Sequence, residues 1–126
     1  MPDRTPAEKL RLKPGMTAAI LHQPAELDGV LGVPEGVHLT ADPSEADFIL
    51  DFASTLAEAN ERLAALSPAV RPKTVTWIGY PKGSKAKGYD LNRDSVAAAA
   101  AEVGLIVNAN FSIDVKWSAL RMRPAN

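Results

Sequence analysis

Three residues in this sequence could act together chemically: His22, Asp51 and Lys82. An imidazole exchanges a proton near neutral pH, a carboxylate can orient it, and an ammonium can hold an anion. His22 closes an apolar run of strand type that begins at Met16. Asp51 stands near the end of a second run, Ala46-Asp-Phe-Ile-Leu-Asp-Phe-Ala53, and Asp47, four residues earlier, shares its face. Lys82 follows a third run, Thr74 to Tyr80. If these runs are parallel strands, their carboxyl ends form the crevice where open α/β sheets take ligands. An Asp51–Lys82 pair there is either an acid/base unit or a plain salt bridge, and structural pairs are the commoner case. A lone His at a strand end is likewise more often a hydrogen-bonded structural residue than a base.

A second candidate is the loop Pro81-Lys-Gly-Ser-Lys-Ala-Lys-Gly88. Gly83 to Gly88 has the spacing of a phosphate loop, but Tyr89-Asp90 stands where Lys-Ser/Thr is required. Lys82, Lys85 and Lys87 remain candidate anion-binding residues near a helix start at Asp90. The competing reading is a solvated loop. Other chemistries lack their residues. With no Cys, two His and no H-E-x-x-H, no metal site is expected. There is no G-x-S-x-G elbow. Ser112 and Asp114 alternate with apolar residues and read as the wet side of a hairpin. Trp77 and Trp117 fit strand packing, and His38 has no partner motif.

The elements that must position these residues are punctuated by Pro and Gly. Thr5-Pro-Ala-Glu8 reads as a capping box with Pro6 at the first helical position. The helix it opens should end near Lys13-Pro14-Gly15. Gln23-Pro24-Ala25-Glu26 opens a second short helix that Gly29 to Gly32 breaks. Val37 to Thr40 is a short strand. Thr55-Leu-Ala-Glu58 is another capping box, before a helix with Leu56, Ala59, Leu63 and Leu66 on one stripe. Asp90 is the expected N-cap of a further helix carrying Val96, Ala99, Ala100 and Val103, stopped at Gly104. Phe111, Ile113, Val115 and Trp117 then alternate with polar residues, as in a hairpin turning near Asp114 to Lys116. The pattern predicts an open, mostly parallel, Rossmann-like α/β sheet with helices on both faces and an antiparallel C-terminal hairpin. One domain is expected over residues 1–126, with 1–15 forming an N-terminal helix and the approach to the first strand.

Composition narrows the setting. The chain has 126 residues, 46% hydrophobic but only 6% aromatic. That length can bury roughly two-thirds of the unfolded surface without disulfides. No apolar run spans a membrane and the start lacks a signal-peptide core, so a cytoplasmic protein without membrane association is expected. Fourteen Lys and Arg against 15 Asp and Glu leave a net charge of −1, so nucleic acid is not an expected partner. The charges are segregated, however. Residues 26 to 61 hold nine acids and no Lys or Arg, whereas residues 71 to 93 hold six basic residues and one acid. Charge-guided association, with itself as a homodimer or with a protein partner, is therefore reasonable.

Two resemblances follow. The strand–helix order from Ala46-Asp-Phe-Ile-Leu-Asp51 through Arg71-Pro-Lys-Thr-Val-Thr-Trp-Ile to the closing hairpin resembles class I, S-adenosylmethionine-dependent methyltransferases, over roughly residues 14 to 124. Leu12-Lys-Pro-Gly15, Val33-Pro-Glu-Gly-Val37, Tyr80-Pro-Lys82, Asp90-Leu-Asn-Arg-Asp94 and Trp117-Ser118 resemble the uncharacterised bacterial domain-of-unknown-function family 3052, over nearly the whole chain. That family implies a fold and no activity. The methyltransferase resemblance implies a cofactor held by a glycine-rich turn after strand one and by an acid after strand two. Here Leu21-His-Gln-Pro-Ala-Glu26 replaces the glycine turn, and Pro24 removes an amide donor. Asp42 has the offset of the acid, though an Asp before Pro is usually a turn residue. The chain also passes from strand two to the Asp47–Phe52 run with no helix between, as if one strand–helix unit were deleted. No bound cofactor is expected, and the absent cofactor loop leans against enzyme activity without deciding it. The leading expectation is a non-catalytic binding domain on a degenerate methyltransferase-like scaffold. The alternative is a small-ligand- or nucleotide-binding protein, or enzyme, with its site at His22, Asp51 and Lys82.

Overall fold

A computed structural model describes residues 5–27, 29–82 and 91–125. Its centre is a six-stranded sheet: β1 (Thr17–Leu21), β2 (His38–Leu39), β3 (Phe48–Phe52), β4 (Val75–Pro81), β5 (Leu105–Ser112) and β6 (Trp117–Pro124). The spatial order is β2-β1-β3-β4-β6-β5. β2, β1, β3 and β4 are parallel, while β6 runs antiparallel to both β4 and β5. β3 is buried at every position, because both faces of the sheet are covered.

One face is covered by α2 (Leu56–Leu66) and α3 (Arg93–Glu102). The expected stripes bury Ala59, Leu63 and Leu66 on α2, and Val96, Ala99 and Ala100 on α3. They meet Ala19, Ile49, Ile78 and Leu120 from the sheet. Leu56 and Val103 pack at the margin of this core, half-buried. Gly104, with φ +80°, takes the left-handed conformation that stops α3. The N-cap of α3 is Asn92, whose side chain accepts the Ser95 N–H, so the expected Asp90 cap is moved two residues on. At α2, Thr55 caps the Glu58 N–H, but Glu58 reaches back to the Ser54 N–H instead of closing a box on Thr55.

The other face is covered by much shorter pieces. α1 is only Pro6–Lys9, with Thr5 and Glu8 forming the expected capping box. Gln23-Pro24 opens a single 3-10 turn, Ala25–Leu27, not an α-helix. Leu10, Leu12, Leu27 and Leu31 from these pieces pack on Phe48, Phe52, Trp77 and Trp117. The Trp77 indole N–H donates to the Leu10 carbonyl at 2.8 Å, pinning the segment after α1 to β4.

The step from β2 to β3 contains only the 3-10 turn Pro43–Glu45 and no α-helix. The hairpin forms as expected, with a register shift between Val107 and Ala109. Within its turn Ile113 is buried, while Val115 is 89% exposed. No helix among the described residues is long and apolar enough to cross a membrane.

Candidate functional site

The register of the parallel strands sets the site. Leu21 of β1 lies beside Asp51 of β3. The next residue, His22, turns the chain with φ +55°, a left-handed conformation uncommon outside glycine. Its ring then faces across to β3, where Nδ1 lies 2.7 Å from Oδ1 of Asp51. The same carboxylate oxygen accepts the Phe52 N–H at 2.8 Å. Asp51 is 2% exposed, whereas the His22 side chain is 52% exposed. Burial pushes the Asp51 carboxyl above its ordinary range, opposed first by the His22 hydrogen bond and then by the Phe52 N–H and the nearby charges.

The third member is Arg62 of α2, not Lys82. Its Nε is 3.8 Å from Asp51 Oδ1 and donates to the Phe52 carbonyl at 3.1 Å. Arg62 also lies 3.4 Å from Glu61 and 4.0 Å from Glu58. Side chains on a helix tilt toward its N-terminus, and α2 begins just past β3, so Arg62 reaches back to the sheet edge. The signal for it was present as an i, i+4 partner of Glu58 on the helix that leaves β3.

Lys82 is elsewhere, which corrects the expected Asp51–Lys82 pair. β4 outruns β3: Gly79 is the residue beside Phe52, and Lys82 lies three residues further on, about 10 Å along a strand. Its ammonium binds Ser112 Oγ and the Asp114 carbonyl, the latter at 2.6 Å, and its N–H donates to the Lys116 carbonyl. Lys82 thus ties the end of β4 to the hairpin turn. Lys85, Lys87 and Asp90 lie outside the described residues.

Asp42 caps the turn Pro43–Glu45. Its Oδ1 accepts from the Ser44 hydroxyl at 2.7 Å and the Ser44 N–H at 3.0 Å, which in that order hold the carboxyl below its ordinary value. Asp47 accepts the Thr17 N–H at the opposite, amino end of the sheet. No group of three or more His, Asp or Glu side chains among the described residues could hold a metal ion.

Chemically, the cluster is a half-exposed imidazole oriented by a buried carboxylate. With Nδ1 committed to Asp51, Nε2 is the ring nitrogen left for an approaching group.

No protein-family model matches the sequence, and no curated protein does. Among solved structures, the chain is similar to MtNAS in complex with S-adenosylmethionine, at 14% identity and TM-score 0.61, over 95% of this chain and 59% of that one. It is similar to the mitomycin 7-O-methyltransferase MmcR, at 14% identity and TM-score 0.60, over 95% and 53%. It is also similar to ribosomal protein L11 methylase from Lactobacillus delbrueckii subsp. bulgaricus, at 12% identity and TM-score 0.56, over 96% and 75%. The likeness shows a class I methyltransferase-like, Rossmann-like fold. The chain spans less than two thirds of the length of MtNAS and MmcR.

Proposed function

We propose that this protein is a non-catalytic binding domain on a methyltransferase-like scaffold. The observation that carries this reading is the His22–Asp51 bond. A sheet that holds an adenosyl cofactor needs backbone close to the ligand after the first strand. Here a histidine ring occupies that position and bridges to β3, followed by Pro24, which has no N–H to offer. Asp51 holds the His22 ring and accepts the Phe52 N–H, and Arg62 donates to the Phe52 carbonyl. These residues do not fit an adenosyl cofactor. Isothermal calorimetry with S-adenosylmethionine and its demethylated product tests the reading on the whole protein. No saturable heat is expected, and saturable binding of either overturns it.

One observation favours a second reading, a small-ligand site. His22 is half exposed and its ring is fixed by a buried acid, the arrangement of a proton acceptor. A thermal-shift screen with nucleotides and adenosyl compounds separates the two. A stabilising ligand whose effect disappears in His22→Asn, which keeps a residue tolerant of the left-handed backbone, selects the second.

A further inference from the structure

The fold gathers basic residues from the two ends of the chain. Lys9, Arg11 and Lys13 come from α1 and the segment after it. Arg121 and Arg123 come from β6 and alternate with Leu120 and Met122, which point into the α2–α3 core. Both arginines therefore point to the α1 side of the sheet, with Trp117 and Ala119. The two groups are neighbours, because Arg121 pairs with Trp77, whose indole is bonded to Leu10. Lys9 Nζ stands 5.9 Å above the centre of the Phe111 ring.

None of these five cations has a carboxylate within 4.0 Å among the described residues. Two of the nearby acids are engaged already. Glu8 accepts the Thr5 N–H, and Glu26 pairs with Lys116 at 3.7 Å. Glu35 stands exposed next to Gly36, which pairs with Gly15. A groove of about 460 Å³ runs along the segment, lined by Lys9, Arg11 and Lys13 together with Glu8, Leu12 and Pro14.

Arg11 adds a further observation. Its N–H bonds to Glu8 and that of Leu12 bonds to Ala7, which is a Schellman ending with Arg11 in the left-handed position, φ +77°. Glycine is the favoured residue there, yet the position carries an exposed guanidinium.

We propose that this face binds a single-stranded nucleic acid through its phosphates. The proposal rests on the binding-domain reading above and names its partner. Unpaired cations concentrated on one face attract a polyanion whatever the net charge of the chain. Arg121 and Arg123 repeat about every 7 Å along an extended strand, a linear array suited to successive phosphates. Phe111, half-buried beside Lys9, offers an aromatic edge for a base. A second copy of this chain fits less well. Its acidic α2 surface already spends Glu58 and Glu61 on Arg62, and contact between unlike faces does not close into a dimer.

The test is fluorescence anisotropy of the whole protein with a labelled oligothymidylate of about twenty nucleotides, across a salt series. With four or five phosphate contacts, log K should fall against log salt with a slope of about −3, or roughly 60-fold over a fourfold rise in salt. The variant Arg11→Gly/Lys13→Ala should make the slope shallower by about 1.4. Its circular-dichroism melt should be unchanged, because glycine suits the left-handed site. Arg121→Ala/Arg123→Ala should match it. The oligonucleotide should also bind more tightly than inorganic polyphosphate of equal charge.

Four binding results overturn the proposal. They are no saturable binding at low salt, both variants binding as wild type, a loss confined to Lys85→Ala/Lys87→Ala, and polyphosphate binding as tightly as the oligonucleotide. Salt-sensitive self-association in the ultracentrifuge that Arg11→Gly/Lys13→Ala abolishes assigns the face to a second copy instead and also overturns it. Each of these failures leaves the calorimetric test of the binding-domain reading independent.

Discussion

All three Phe and both Trp of the chain lie on the α1 side of the sheet, whereas the core under α2 and α3 is mostly Ala, Leu, Ile and Val, with Met122 and a single ring, Tyr80, among the described residues. The difference follows from how each side is covered. Two regular helices bring a continuous stripe within reach of the sheet, and small residues let them approach closely. Four residues of helix and a 3-10 turn cannot do that. The sheet compensates from its own side with large rings: Phe52 lies over Gly79, where an added Cβ would sit 2.6 Å from the ring, and meets Trp117 edge-on at 5.6 Å. Cover that is poor in secondary structure is thus matched by aromatic bulk beneath it.

Core truncation tests this contrast most severely. Phe52→Ala should cost about 3–5 kcal/mol and Leu63→Ala about 2–5 kcal/mol by urea denaturation, with Phe52→Ala the larger. Equal losses, or a larger one at Leu63, would break the distinction between a ring-filled and a helix-filled face.

The helix caps give a smaller effect. Thr55→Ala should cost about 1 kcal/mol, the ordinary worth of an N-cap. Thr5→Ala should cost more, because Thr5 Oγ1 also donates to the Gly32 carbonyl at 2.8 Å and its methyl packs on Gly32. A short helix would then depend on its cap more than a long one does. The reverse order would show that α1 is held by the Trp77–Leu10 bond instead.

The smallest effect is pH-dependent and concerns the edge between the faces. Asp51 has a folded pKa raised chiefly by burial, so the folded state binds its proton more tightly than the unfolded state. Its contribution is therefore fully present below about pH 4 and is lost as pH rises through the folded value. Stability curves of wild type and Asp51→Asn should diverge across that window, with wild type losing ground as pH rises. Parallel curves would mean that His22 and Arg62 fully offset the burial.

Much of this contrast was written in local sequence. The Thr5-Pro6-Glu8 box, the α2 stripe, the Gly104 stop and the alternating tail each depend on residues within a turn or a strand of one another. What depended on register was less legible. His22 and Asp51 meet because both end neighbouring parallel strands, which the runs implied. Lys82 misses them because β4 runs two residues past β3, a length that the apolar pattern does not mark. Arg62 arrives through the tilt of a side chain along α2, and only its i, i+4 spacing from Glu58 announces it. The basic face was invisible for a similar reason. A count of charge in windows along the chain separates residues 9–13 from 121–123, and only the antiparallel return of β6 beside β4 brings them together.

The placement of the rings also makes the two faces optically distinct. Trp77 and Trp117 are the only tryptophans, and both sit under the thin cover. Tryptophan emission therefore reports solvent reaching the α1 side, while far-ultraviolet dichroism is dominated by α2 and α3 on the other. A single denaturant titration followed by both signals asks whether the sheet loses its two coats together. Coincident curves mean one cooperative unit, and an earlier red shift in emission means that residues 5–16 lift away first.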